Sequence, residues 1–100
     1  MSGLKQYMEK KGVSFLYLYT PLCGTCKIAG KILEVVEQLL PNEQFRKMNL
    51  NFIPEYAKEW SIESVPCLLI FQNGKILERI YAFHSVPHLY EKLQGLVKSN

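Results

Sequence analysis

Residues 22–26, which read Leu-Cys-Gly-Thr-Cys, decide the fold of this chain. They hold two of its three cysteines, two residues apart. An apolar run from Ser14 to Tyr19 precedes them, and a pattern with helical periodicity follows from Lys27 to Leu40. A C-x-x-C pair between a strand and a helix is typical of a redox dithiol. We therefore expect the rest of the chain to build a site around these cysteines.

Length and composition predict one globular domain over residues 1–100. Hydrophobic residues make up 48% of the chain and charged residues 21%, which is ordinary for a globular protein. The net charge is +3, with lysines and arginines spread along the sequence. A charge so small and so scattered argues against nucleic acid as a partner.

Targeting signals and membrane spans are not evident in the sequence. The first residues, Met1 to Gln6, lack the basic segment and apolar stretch of a secretory signal. No apolar run approaches the roughly 18 residues that a membrane span needs. We therefore expect a cytoplasmic protein without a membrane partner. There, structural disulfides are rare, and an odd number of cysteines also fits a disulfide framework poorly.

The periodicity of apolar residues predicts alternating helices and strands. The predicted elements are a short helix around Leu4, Tyr7 and Met8, a strand Val13–Tyr19, a helix from Cys23 to Leu40, a weaker strand Gln44–Leu50, a short helix Pro54–Trp60, a strand Cys67–Phe71, a strand Lys75–Phe83 and a last helix capped by Ser85. Asn73-Gly74 is a strong hairpin signal between the last two strands.

This order predicts an α/β fold with a four-stranded mixed sheet between layers of helices. The first two strands are joined by a helix and should be parallel, whereas the last two form an antiparallel hairpin. The run Val13–Tyr19 is apolar almost throughout, so it should be a central strand covered on both faces.

The positions of the two cysteines suggest different roles. Cys23 lies where the helix should begin, and unpaired N–H groups there favour a thiolate. Cys23 is therefore the candidate nucleophile, and Cys26, one turn further along, is the candidate resolving thiol. The alternative is half of a zinc site, which usually needs a second ligand pair, and Cys67 stands alone. We expect no metal.

Two motifs together resemble the thioredoxin family, and the similarity covers nearly the whole chain. Residues 20–27 are similar to the family's active-site loop, and residues 64–75 to its second motif, a cis-proline followed by a hairpin. The resemblance implies a thioredoxin fold and a thiol–disulfide oxidoreductase without a bound cofactor. It also implies disulfide-containing protein substrates and electrons from a thioredoxin reductase or another dithiol protein.

The resemblance further implies how a substrate would dock. Pro66 would be cis and lie against the dithiol, and the Val65 backbone would pair with an extended substrate segment. The residues implied in substrate binding are Leu22, Gly24, Thr25, Val65, Pro66 and Ala82.

Several positions depart from the family pattern. Leu22 replaces the usual tryptophan, Thr25 the usual proline and Cys67 the usual threonine. The family's buried aspartate, which accepts the proton of the resolving thiol, is replaced by Tyr17, whereas its lysine partner corresponds to Lys47. A tyrosine, with a pKa of about 10, is a poor base at neutral pH. We therefore expect slower deprotonation of Cys26.

Three interpretations remain open from these departures. Cys67 is either a small buried residue or a third thiol able to form an alternative disulfide. The family's first edge strand has no counterpart ahead of Ser2, so four strands are expected, with an edge at Gln44–Leu50.

The alternative function is a thioredoxin-like interaction or redox-sensing module. Glutaredoxin-like chemistry fits less well, because Tyr81-Ala82-Phe83 replaces the Gly-Gly usual after that hairpin.

Overall fold

The structure is a computed structural model, and it describes residues 6–7, 9 and 12–98. The predicted helix around Leu4 and Met8 lies outside these residues, apart from Gln6 and Tyr7, which are helical. Within the described part of the chain, no helix is both long and apolar enough to cross a membrane.

The described residues form a four-stranded mixed sheet with three α-helices. The elements are β1 Val13–Tyr19, α1 Gly24–Leu39, β2 Gln44–Asn49, a 3-10 turn Leu50–Phe52, α2 Pro54–Glu59, β3 Cys67–Gln72, β4 Lys75–Ile80 and α3 Val86–Lys98. The sheet order is β2-β1-β3-β4, with β1 and β2 parallel and the other pairs antiparallel. The predicted fold class is confirmed.

Helices cover both faces of the sheet because its two central strands are apolar on both faces. Phe15 and Tyr17 of β1 pack with Leu33 of α1 and Leu89 of α3. The alternate residues of β1 face the opposite core, which contains these buried side chains: Leu16, Leu18, Ile53, Trp60 and Leu69. Trp60 is thus a core residue. This double burial fixes the register of β1 and the point where it ends, just before the C-x-x-C turn.

The buried face of α1 is offset from the one that the sequence suggests. The sequence pattern predicts a face of Ile28, Ile32, Val35 or Val36, and Leu39, yet Ile28 is 65% exposed and only Val36 of this set is fully buried. The buried residues of α1 are Cys26, Ala29, Leu33 and Val36. Both sets recur at helical spacing, so periodicity alone does not select between them. The turn between β1 and α1 selects the buried face, because it orients the helix so that Cys26 points towards the sheet.

The hairpin is confirmed, but β4 is shorter than predicted. Asn73 and Gly74 both have positive φ, 52° and 86°, as a two-residue hairpin turn requires. β4 ends at Ile80, and Tyr81–Phe83 leave the sheet. His84, with φ of 62°, redirects the chain towards α3. The Ser85 hydroxyl then accepts a hydrogen bond from the His88 N–H at 3.2 Å, as expected of an N-cap.

The edge strand β2 ends one residue earlier than predicted. The Asn49 side chain accepts a hydrogen bond from the Asn51 N–H at 2.9 Å and caps the 3-10 turn that begins at Leu50. This local bond competes with continued strand pairing. β2 is an edge of the sheet, as expected.

Because the central strands are buried on both faces, substitutions in them should destabilise the protein more than substitutions at exposed positions of an edge strand. Leu69→Ala, in β3, should lower the free energy of unfolding by about 2–5 kcal/mol, because it leaves a cavity in a fully buried site. Leu77→Ala, in β4, should cost less than about 1 kcal/mol, because Leu77 is 44% exposed. Urea unfolding of both variants measures the contrast, and equal losses would contradict it.

Candidate active site

The two cysteines occupy the first turn of α1. Cys23 is the N-cap residue, with extended backbone angles (φ −88°, ψ 109°), and its Sγ accepts a hydrogen bond from the Cys26 N–H at 3.1 Å. Cys23 and Cys26 form a disulfide, with Cα atoms 5.2 Å apart. Cys26 is only 4% exposed, whereas Cys23 is partly exposed. Cys23, at the N-terminus of α1, is therefore the more accessible of the two cysteines.

A loop distant in sequence contacts Cys23. The Val65–Pro66 peptide bond is cis, as the resemblance implies, and the Val65 carbonyl oxygen lies 3.8 Å from Cys23 Sγ. The Thr25 hydroxyl oxygen is 3.3 Å from the same sulfur. The nucleophile candidate thus lies between the helix terminus and the backbone of the proline loop.

The proline loop is the segment between α2 and β3 that carries Pro66. Two side chains attach it to the sheet. Arg79 Nε donates a hydrogen bond to the Trp60 carbonyl at 2.8 Å. The Tyr81 hydroxyl accepts one from the Glu63 N–H at 3.1 Å. Sequence reasoning did not assign these two residues, since neither bond has a local signature. Both tie the loop to the end of β4, next to Ala82.

Apart from Val65, the substrate-binding residues that the resemblance implies fall into two groups. Thr25, Pro66 and Ala82 line one groove of about 320 Å³. Sequence reasoning missed the other residues of this groove, which are Ile28, Ala29, Ile32, Tyr81, Phe83 and His84. Ile28 is three residues after Thr25 on α1, so helical spacing was the available signal. Leu22 is 99% exposed and Gly24 is also exposed, both beside Cys23 but outside this groove.

Tyr17 lies directly beneath the dithiol. It is 5% exposed, and its hydroxyl donates a hydrogen bond to the Cys26 carbonyl at 2.6 Å. Burial raises the pKa of Tyr17, and the neighbouring Tyr19 adds a smaller Coulombic rise. Tyr17 therefore stays protonated at neutral pH and acts as a hydrogen-bond donor, which supports the expectation that it is a poor base.

Lys47 is paired with Tyr17 in the parallel register of β1 and β2, but its side chain is exposed. Its charge acts on Glu37: burial and Glu34 raise the pKa of the Glu37 carboxyl, and Lys47 lowers it. Lys47 also lines the cavity that borders Cys26.

Cys67 is a free thiol at the start of β3 and is fully buried. Burial raises its pKa to about 11, against smaller lowering effects of a hydrogen bond from Tyr81 and the charge of Arg79. A buried, protonated thiol is a poor nucleophile. The geometry favours a packing role over an alternative disulfide.

Comparisons with known proteins match this chain to one family. The family model for thioredoxin matches residues 3–94. A thioredoxin-like protein of Bacillus subtilis, YusE, is 55% identical over 82 residues, which are 82% of this chain and 77% of that protein. The thioredoxin of Mycoplasmoides gallisepticum is 34% identical over 76 residues, 76% of both chains.

Solved structures show the same fold. A mutant thioredoxin from Halobacterium salinarum superposes with a TM-score of 0.83 at 16% identity, covering 97% of this chain and 85% of that one. Oxidised mitochondrial thioredoxin 3 from Saccharomyces cerevisiae gives a TM-score of 0.78 at 19% identity, covering 99% and 89%.

The buried thiol predicts a loss of stability at alkaline pH. The pKa of Cys67 is raised in the folded state, so the buried thiol stabilises the folded protein only while it is protonated. Its contribution to the free energy of unfolding is fully present below about pH 9 and is lost as the pH rises towards about 11. Two pKa units correspond to about 2–3 kcal/mol. Urea unfolding at several pH values, in a Cys23→Ser/Cys26→Ser background, should show a decline that Cys67→Ala reduces. The same pH dependence in both proteins would contradict this assignment.

Proposed function

This chain belongs to the thioredoxin family, and we propose that it reduces or exchanges disulfides in protein substrates, with Cys23 as nucleophile and Cys26 as resolving thiol. That it is a thiol–disulfide oxidoreductase follows from its family and from its disulfide-forming cysteine pair. The observation that carries the assignment of roles is the difference between the sulfurs: Cys23 is partly exposed at the N-cap, whereas Cys26 is buried.

Attack by Cys23 requires its thiolate. The Cys26 N–H, 3.1 Å from Cys23 Sγ, can donate a hydrogen bond to that anion, and the Thr25 hydroxyl at 3.3 Å can donate another. The positive end of the α1 dipole favours the same charge state. The thiolate then attacks one sulfur of the substrate disulfide, and the second substrate sulfur leaves as a thiol.

Docking would place an extended substrate segment along the Val65 backbone. The Val65 carbonyl is 3.8 Å from Cys23 Sγ, so a strand paired there would present its disulfide to the nucleophile. Contacts with the substrate would come from Thr25, Pro66 and Ala82 in the groove and from Leu22 and Gly24 beside Cys23. The mixed disulfide would then be resolved by Cys26, giving the Cys23–Cys26 bond seen in the structure.

The remaining parts of the proposal concern the protein as a whole. A single domain over residues 1–100 would act in the cytoplasm without a bound cofactor. A thioredoxin reductase or another dithiol protein would return the disulfide to the dithiol form.

One observation favours a second candidate, a thioredoxin-like interaction or redox-sensing module with weak catalysis. Tyr17, with its raised pKa and its hydrogen bond to the Cys26 carbonyl, replaces a carboxylate base. Such a protein would keep the fold and the docking surface but turn over slowly. The two candidates differ in how far the wild-type protein raises the rate of disulfide reduction above the rate with Cys23→Ser.

The proposed mechanism predicts that Cys23→Ser abolishes catalysis. Reduction of insulin disulfides should be accelerated by the wild-type protein with dithiothreitol or with a thioredoxin reductase, and Cys23→Ser should return the rate to background. Cys26→Ser should instead accumulate a mixed disulfide with the substrate, detectable by mass spectrometry. Equal rates for wild type and Cys23→Ser would favour the interaction module.

Docking at Leu22 predicts an effect on substrate affinity without an effect on stability. Leu22 is 99% exposed, so Leu22→Ala should change the free energy of unfolding by less than about 0.5 kcal/mol. Its loss should nevertheless raise the KM for insulin, because Leu22 lies beside the nucleophile. Leu77→Ala, at an exposed position of β4 outside the proposed site, is the matched control. An unchanged KM in the Leu22 variant would exclude Leu22 from docking.

A further inference from the structure

A cavity of about 450 Å³ borders Cys26 between β1, β2 and α1. It extends from Tyr17 and Cys26 to the exposed side chains of Lys31 and Lys47. Its lining is mixed, with more apolar than polar surface, but its size and the exposed lysines at its mouth allow it to hold several water molecules in contact with solvent. The cavity therefore offers water a route to the buried cysteine.

This cavity is separate from the surface proposed to bind substrate. It shares no lining residue with the groove formed by Thr25, Pro66 and Ala82, and neither Cys23 nor Val65 lines it. A substrate bound over Cys23 would shield that side of the dithiol from water. The cavity would remain open on the other side of Cys26 at the stage when Cys26 must lose its proton.

The charges around the cavity are mainly positive. Lys27, Lys31 and Lys47 line it, against one carboxylate, Glu34. Glu37 lines the neighbouring pocket rather than this one. An excess of positive charge favours the thiolate form of a nearby cysteine, and exposure to solvent keeps the effect of each lysine modest.

Tyr17 is a positioning residue in this arrangement. Its hydroxyl hydrogen is used in the 2.6 Å bond to the Cys26 carbonyl, so the bond orients the first turn of α1. A Cβ atom at Gly30 would lie 3.7 Å from the Tyr17 hydroxyl oxygen, which is an ordinary van der Waals contact. Alanine therefore fits at Gly30, whereas a longer side chain would extend into the cavity.

We propose that this cavity is the proton outlet of Cys26 during resolution of the mixed disulfide, with water as the proton acceptor and the lysines stabilising the thiolate. The inference rests on the proposed roles of Cys23 and Cys26. The Cys26 thiol gives its proton to cavity water, and its sulfur forms a bond to Cys23 Sγ. The bond from Cys23 to the substrate sulfur breaks, and the substrate thiolate takes a proton from solvent. The two cysteines are oxidised and the substrate disulfide is reduced.

The test follows resolution directly, with Ellman's reagent as the substrate disulfide. Reduced protein carrying Cys67→Ala releases one thionitrobenzoate when Cys23 attacks, and a second when Cys26 resolves the mixed disulfide. The second release is intramolecular, so stopped-flow absorbance identifies it by a rate independent of reagent concentration.

Neighbouring exposed positions of α1 provide variants with opposite charge changes. At pH 7 and low salt, Lys31→Gln should slow the second release about twofold to fivefold, and Glu34→Gln should accelerate it by a similar factor. Added salt should reduce both effects. Lys58→Gln, on α2 and outside the cavity, should leave the rate unchanged. Slowing by Glu34→Gln would overturn the proposal, because it would make Glu34 the base.

A second pair of variants tests the cavity itself. Gly30→Met should fill it and slow the second release several-fold, whereas Gly30→Ala should resolve at the wild-type rate. If Gly30→Met fails to fold by circular dichroism, the charge variants still decide the question. Wild-type second-release rates in Lys31→Gln and Glu34→Gln would overturn this inference alone. Absence of the first release in the parent protein would instead overturn the proposed function.

Discussion

The hydrogen bond from the Cys26 N–H to Cys23 Sγ is the interaction on which the active site depends. It forms only if α1 begins directly after Cys23, which in turn requires β1 to end at Tyr19. The end of β1 is fixed by burial of its residues on both faces of the sheet. The hydrophobic core thus fixes where the reactive turn begins, and bonds within the turn, including one from the Cys23 N–H to the Thr20 carbonyl at 3.2 Å, complete its geometry.

The same core limits how the buried cysteine can be deprotonated. Tyr17 belongs to the core cluster, and its burial keeps it neutral while its hydroxyl bonds to the Cys26 carbonyl. A carboxylate at this position would carry a charge into the apolar layer, whereas tyrosine adds an aromatic ring that packs with Tyr19 and Phe83. Tyr17 therefore contributes to the packing of the core and does not act as a base at neutral pH. The proton of Cys26 must then leave by another route, and solvent in the adjoining cavity provides one.

The proline loop joins the site from a distant part of the chain. Arg79 and Tyr81, near the end of β4, hold it through the Trp60 carbonyl and the Glu63 N–H. The distance between Val65 and the nucleophile therefore depends on two side chains, Arg79 and Tyr81, that are distant from both in the sequence.

The sequence by itself determined the elements and the identity of the reactive pair. Apolar runs, the Asn73-Gly74 turn and the C-x-x-C spacing are local signals, so the four strands, the hairpin and the candidate nucleophile Cys23 could be predicted. Tertiary structure alone decided which face of α1 is buried, because Ile28 and Ala29 belong to stripes of equal periodicity. It also decided where β4 ends and which residues complete the groove and the cavity. Those features arise from side chains far apart in the chain, and their contacts exist only once the sheet and helices have packed.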